Sequence, residues 1–97
     1  LILTLLDRQP MYGYEMIKAM EHSSNGVFTL KEGTLYPILH ALESKGYVQS
    51  SWSTGEGTRK RKYYRLTDEG RLHLQEKKKE WNTFRSAVDA VLGEGRA

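Results

Sequence analysis

Between Glu32 and Leu66 the sequence passes from an amphipathic helix directly into a β-hairpin, and few folds accommodate that order. Leu35, Ile38, Leu39 and Leu42 recur at i, i+3, i+4 and i+7, the stripe of a helix with one buried face, expected over Glu32–Lys45. Gly46 suits the left-handed residue that stops it. YVQSSW (47–52) then reads as a strand, Ser53 to Thr58 as a turn built around Gly55 and Gly57, and RKRKYYRL (59–66) as the returning strand.

The flanking segments complete the pattern. LILTLLD (1–7) reads as the end of an apolar helix, and it is short enough that a buried strand is the alternative. After a break at Pro10, Gly13, Met16, Ile17 and Met20 form a second helical stripe, with Gly13 placed to let a neighbouring backbone approach. Ser23-Ser24-Asn25-Gly26 is a turn cluster that ends it. Thr67 is a good N-cap, with Asp68 and Glu69 at the positive end of the helix that follows. That helix is expected to run to Leu92, about 37 Å at 1.5 Å per residue. Leu74, Trp81 and Val88 recur at seven, as do Lys77, Phe84 and Val91, the two interleaved series of a coiled-coil-like contact.

The expected fold is therefore mainly α with a small β-hairpin. A winged helix-turn-helix over residues 1–66 is followed by a long C-terminal dimerisation helix over 67–97. A chain of 97 residues with no cysteine can gain stability from neither disulfides nor thiolate metal sites, which makes oligomerisation the natural source of extra buried area. The chain opens on an apolar run without an initiator Met, which points to residues lying before Leu1. No apolar run is long enough to span a bilayer and nothing reads as a secretory signal, so a cytoplasmic setting is expected.

The third helix starts unusually for one that only fills a core. On a helical wheel Gly33, Pro37, His40 and Ser44 face away from the leucine stripe, with Thr34 and Tyr36 on the flanks. A proline costs nothing in a first turn, whose amides have no intrahelical partner. A helix starting at Gly33 or Thr34 therefore loses no bond at Pro37, whereas one starting at Lys31 loses one. A narrow, hydroxylated helix tip suits insertion into a DNA major groove. Thr34 and His40 could bond base edges or phosphates, and the Tyr36 hydroxyl a phosphate. The plainer reading is a solvated surface helix. The run Arg59, Lys60, Arg61 and Lys62 lies at the hairpin tip, where cations can clamp a phosphate backbone or enter a minor groove. The net charge of +3 is only mildly basic, so the placement of the charges matters more than their sum.

These residues resemble the PadR family of bacterial transcriptional regulators. The resemblance is carried by PMYGYEMIKAM (10–20), GTLYPILHALESKGYV (33–48) and RKYYRLTDEG (61–70). It implies a dimeric repressor that binds a palindromic operator in double-stranded DNA and is released by a small molecule, and the short C-terminal part resembles the family's short subgroup. It implies recognition-helix contacts from Thr34, Tyr36 and Pro37, and wing contacts from Arg59 and Lys60. Lys31 departs from the Ser or Asn frequent in the family at that place, adding phosphate affinity while losing a side-chain cap. In multidrug-binding members of the short subgroup an aromatic residue near Trp81 stacks on flat ligands, which would make Trp81 and Phe84 walls of a pocket for a planar aromatic effector. The plainer alternative makes them anchors of a dimer interface formed by Leu74, Trp81, Phe84, Val88 and Val91.

Enzymatic chemistry finds no support. His22, His40 and His73 lack metal-ligand spacing, and His22 and His73 are expected to be exposed. Glu15, Glu21, Glu43 and Glu69 pair in no catalytic pattern, and GEG (55–57) is a turn with no strand-to-helix step after it. No cofactor or metal is implied. The competing class is a winged-helix module that docks on a protein and binds neither DNA nor ligand.

Overall fold

The computed structural model describes residues 1–53 and 60–93. Seven elements follow one another: α1 (Ile2–Arg8), β1 (Met11–Tyr12), α2 (Gly13–Ser23), α3 (Glu32–Ser44), β2 (Val48–Ser53), β3 (Arg61–Leu66) and α4 (Asp68–Leu92). The first segment is a helix, and Ile2, Leu3, Leu5 and Leu6 bury it so thoroughly that the strand alternative is excluded. The hairpin is present, and a third strand joins it. β1 pairs with β3 through Met11–Tyr64 and Tyr12–Tyr63, giving an antiparallel sheet of order β1-β3-β2. Two residues carry no periodicity, so this strand was invisible in the pattern.

Met11, Met16, Met20, Leu35, Leu39, Val48, Tyr64 and Leu74 close one core with the four apolar side chains of α1. Two expectations change here. Ile38 is 38% exposed rather than inward. It lines an apolar groove of about 620 Å³ with Leu1, Phe28 and Leu42. His73 is half-buried rather than exposed, its ring stacked on Tyr47 at 4.2 Å between centroids.

α3 ends in a complete Schellman motif. The Gly46 amide donates to the Glu43 carbonyl (3.0 Å) and the Tyr47 amide to Leu42 (3.0 Å), with Gly46 at φ +81°. Thr67 binds this corner to α4. Its hydroxyl oxygen accepts from the Gly70 amide (3.0 Å) and donates to the Gly46 carbonyl (2.6 Å), while its own amide donates to Tyr47 (3.1 Å). Thr67→Ala removes both hydroxyl bonds and should lower stability by about 1–2 kcal/mol, read from urea denaturation midpoints, with Thr67→Ser recovering most of it.

From its third turn α4 leaves the core. The radius of gyration is 16.2 Å, against about 12.5 Å for a compact chain of this length, and the long dimension is 57 Å. Leu74 is the last α4 residue in the core. It was expected at the dimer contact, but with 6% exposure it belongs to the chain's own interior. The stripe left in solvent consists of Trp81 (58% exposed), Phe84 (59%), Val88 and Val91. Lys77, the polar slot of the second series, forms an ion pair with Glu80 at 3.4 Å. No helix among the described residues is long and apolar enough to cross a membrane.

Candidate nucleic-acid interface

The outward face of α3 is as the helical wheel requires: Gly33, Thr34, Tyr36, Pro37, His40 and Ser44 are all exposed, while Leu35 and Leu39 are fully buried. The helix starts earlier than a cost-free proline demands. Lys31 is the N-cap, with no side-chain bond, and its carbonyl accepts from the amides of Thr34 (3.0 Å) and Leu35 (2.9 Å). Pro37 is thus the sixth helical residue, and its missing N–H forfeits the bond the Gly33 carbonyl would have received. The lost bond falls on the exposed face, where water can serve that carbonyl.

Tyr36 points back across the fold rather than straight outward. Its hydroxyl lies against Gly13, where a Cβ would collide with the phenol oxygen and sit 3.0 Å from Cζ. Gly13 therefore admits a side chain, not the neighbouring backbone expected of it. This joins the start of α2 to the outer face of α3.

Arg61 and Lys62 do not share one face. Successive strand residues point to opposite faces. Arg61, Tyr63 and Arg65 share one side of β3, and Lys62, Tyr64 and Leu66 the other, which faces the core. Arg61 is exposed, with its guanidinium carbon 4.6 Å from the centre of the Tyr12 ring. Lys62 is half-buried, its Nζ 5.6 Å from the Tyr64 ring and its strand partner the exposed Trp52. Lys60 is exposed at the start of the returning strand. Arg59 and all but the first residue of the turn expected over Ser53 to Thr58 lie outside the described residues.

Three aromatic residues enter this surface that the sequence did not single out. Tyr12 packs edge-on against Tyr63 with centroids 5.4 Å apart and planes at 75°. Tyr14 is exposed on α2, with the Lys18 ammonium 5.4 Å from its ring. The available signal was the closeness of tyrosines to cations in sequence, Tyr14 four residues before Lys18 and Tyr63 between Lys62 and Arg65. The strand pairing that gathers them was not visible. Arg65 is tied sideways to Gln49 (2.5 Å). Tyr36, Gly13, Tyr12 and Arg61 thus form a continuous line of contacts from α3 to the hairpin.

Among the described residues no group of His, Asp and Glu could hold a metal ion. Glu15 accepts from the Tyr12 amide (3.1 Å) and Glu43 from the Ser50 hydroxyl (2.5 Å), so both serve local structure. On α4, Trp81 and Phe84 lie 5.7 Å apart at an interplanar angle of 32°, both facing solvent.

Comparison with known proteins agrees with this arrangement. The model of the transcriptional regulator PadR-like family matches residues 2–76. A solved PadR family transcription regulator from Clostridium difficile is 37% identical, with a TM-score of 0.80 over 94% of this chain and 93% of that one. A transcriptional regulator from Clostridium thermocellum is 36% identical, with a TM-score of 0.82 over 92% of this chain and 86% of its own. The Escherichia coli transcriptional regulator YqjI is 31% identical over 89 residues; the match spans 92% of this chain but 41% of that longer protein.

Proposed function

The chain belongs to the PadR-like family of transcriptional regulators, and from that premise we propose that it is a repressor that binds a palindromic operator as a homodimer and is released by a small aromatic effector. The observation that carries this reading is the polar, exposed outer face of α3 joined through Tyr36, Gly13 and Tyr12 to an exposed arginine of the hairpin. Thr34 and His40 read base edges or phosphates, Pro37 keeps the helix tip narrow, and Lys31 and Tyr36 contact the backbone. Arg59, Lys60, Arg61 and Lys62 supply wing contacts, with Arg61 and Lys62 reaching from opposite faces of one strand. α4 is the dimerisation element of the 67–97 segment, while its first two turns also complete the core of the DNA-binding unit. A cytoplasmic site of action belongs to this reading.

The exposed stripe on α4 supports a second copy as partner, because two equivalent apolar stripes bury each other under two-fold symmetry. Two helix tips so related would meet half-sites about 34 Å apart. Trp81 and Phe84 serve that contact and present ring faces at which a flat effector could stack.

Salt dependence tests the DNA reading. Binding to duplex DNA from the region upstream of the encoding gene should weaken steeply with salt. Lys60→Ala and Arg61→Ala should each lower the slope of log K against log salt by about 1 per protomer, because each removes one phosphate neutralisation. Footprinting on the same DNA should protect two inverted half-sites. Salt-independent affinity, or no protection, would instead favour a protein-docking module.

A further inference from the structure

We propose that Tyr12 is a positioning residue for DNA binding: its ring holds the Arg61 guanidinium and so orients this wing cation for a phosphate. The inference rests on the DNA-binding reading and adds to it a residue that touches no nucleic acid.

The geometry begins with a two-residue strand. Met11 and Tyr12 pair with Tyr64 and Tyr63, which puts Met11 and Tyr64 on the core side and leaves Tyr12 and Tyr63 on the outer face. There the edge-to-face contact with Tyr63 fixes the plane of the Tyr12 ring. Arg61 lies two residues before Tyr63 on the same face, and its guanidinium comes to 4.6 Å from the ring centre. Among the described residues no carboxylate lies within ion-pair distance of Arg61. The Glu15 carboxylate, in the first turn of α2, accepts from the Tyr12 amide.

An arginine stacked by its face keeps its N–H edge free, so the ring can orient the group without consuming the donors a phosphate needs. A long side chain held in one orientation also loses less conformational freedom on binding. The residue after Tyr12 is Gly13, against which the Tyr36 hydroxyl of α3 rests. One dipeptide therefore touches side chains of both elements that approach DNA.

The probe is a duplex selected by the wild-type protein from a random-sequence pool. Tyr12→Leu keeps apolar bulk but removes the π face. It should weaken binding about threefold to fivefold and flatten the salt slope, whereas Tyr12→Phe should stay within about twofold of wild type. In an Arg61→Ala background, Tyr12→Leu should cost nothing further. Without DNA, the Arg61 side-chain protons should show an upfield ring-current shift in wild type and Tyr12→Phe that disappears in Tyr12→Leu. Tyr12→Thr, a strand former, provides the same ring removal if leucine disturbs the fold. Wild-type affinity in Tyr12→Leu, equal losses in Leu and Phe, or a loss that persists without Arg61 would each overturn the assignment. Failure of the wild type to select any duplex would bring down the DNA reading and this inference with it. The ring-current shift would still report whether the contact exists.

Discussion

Gly70→Ala should strip more stability from this protein than a methyl added at any other described glycine. In most helices alanine is preferred to glycine by about 1 kcal/mol, so the ordinary expectation is a gain. Here the added Cβ would fall inside contact distance of the Tyr47 carbonyl oxygen, 2.9 Å from its carbon and 2.8 Å from Leu66 Cδ1. The opposing atoms are mostly backbone, held by the Thr67 amide bond to that same carbonyl and by the Schellman turn before it. Backbone cannot yield as a side-chain tip can. The clash should cost about 3 kcal/mol net, near the upper end of overpacking effects. For a domain of this size that lowers Tm by roughly 12–24 °C. Gly33 is the control: nothing lies within 4 Å of a Cβ there, so Gly33→Ala should match or exceed wild-type stability. Calorimetry of the two variants reads the difference directly. A Gly70→Ala protein that melts with wild type would refute the close approach of α4 to the α3–β2 corner.

Trp81→Ala should convert the proposed dimer towards monomer. The ring is 58% exposed in the single chain and stands beside Phe84 on a stripe continued by Val88 and Val91. Central aromatic residues of an interface typically contribute 2 kcal/mol or more on truncation, a rise of about 30-fold in the dimer dissociation constant. Trp81 and Phe84 touch, so the double variant should fall short of the sum of the singles. Ser86→Ala, on the opposite side of α4, should leave association unchanged. Sedimentation across a dilution series compares wild type with Trp81→Ala, Phe84→Ala, the double variant and Ser86→Ala. Operator affinity should fall with the dimer fraction, since one half-site alone binds weakly. A wild type that sediments as a monomer at tens of micromolar, or a Trp81→Ala variant that dimerises normally, would remove the α4 contact from the proposed function. Leu74→Ala would not be a clean test of the interface, because it empties the chain's own core.

The elements with a repeating pattern were legible. The leucine stripe of α3, the methionine stripe of α2, the hairpin strands and the Thr67 cap all lie within a residue or two of where their spacing put them. Their logic is local, because periodicity and capping depend on neighbours within about one turn. The outward set on α3 was legible for the same reason, since a residue that leaves the buried stripe has nowhere else to go. What escaped was non-local. β1 exists because β3 offers it an edge, and nothing within Met11–Tyr12 announces that. Leu74 and Trp81 occupy equivalent places in a seven-residue series, yet one meets the core and the other does not. Arg61 and Lys62 are adjacent in a basic run; a strand's own alternation sends them to opposite faces, but only the assembled sheet decides that the Lys62 side meets the core.

The order of amphipathic periods, the turn chemistry at Gly46 and the cap at Thr67 determined by themselves that this chain folds as a winged helix-turn-helix with a long trailing helix. Each such signal lowers the free energy of its own segment whatever the distant chain does. Tertiary structure alone decided which exposed side chains share a surface: that Tyr36 rests on Gly13, that Tyr12 lies under Arg61, and that α4 is free only beyond Leu74. Those contacts join residues more than twenty positions apart, where no local preference acts and only the packing of the assembled core sets the distance.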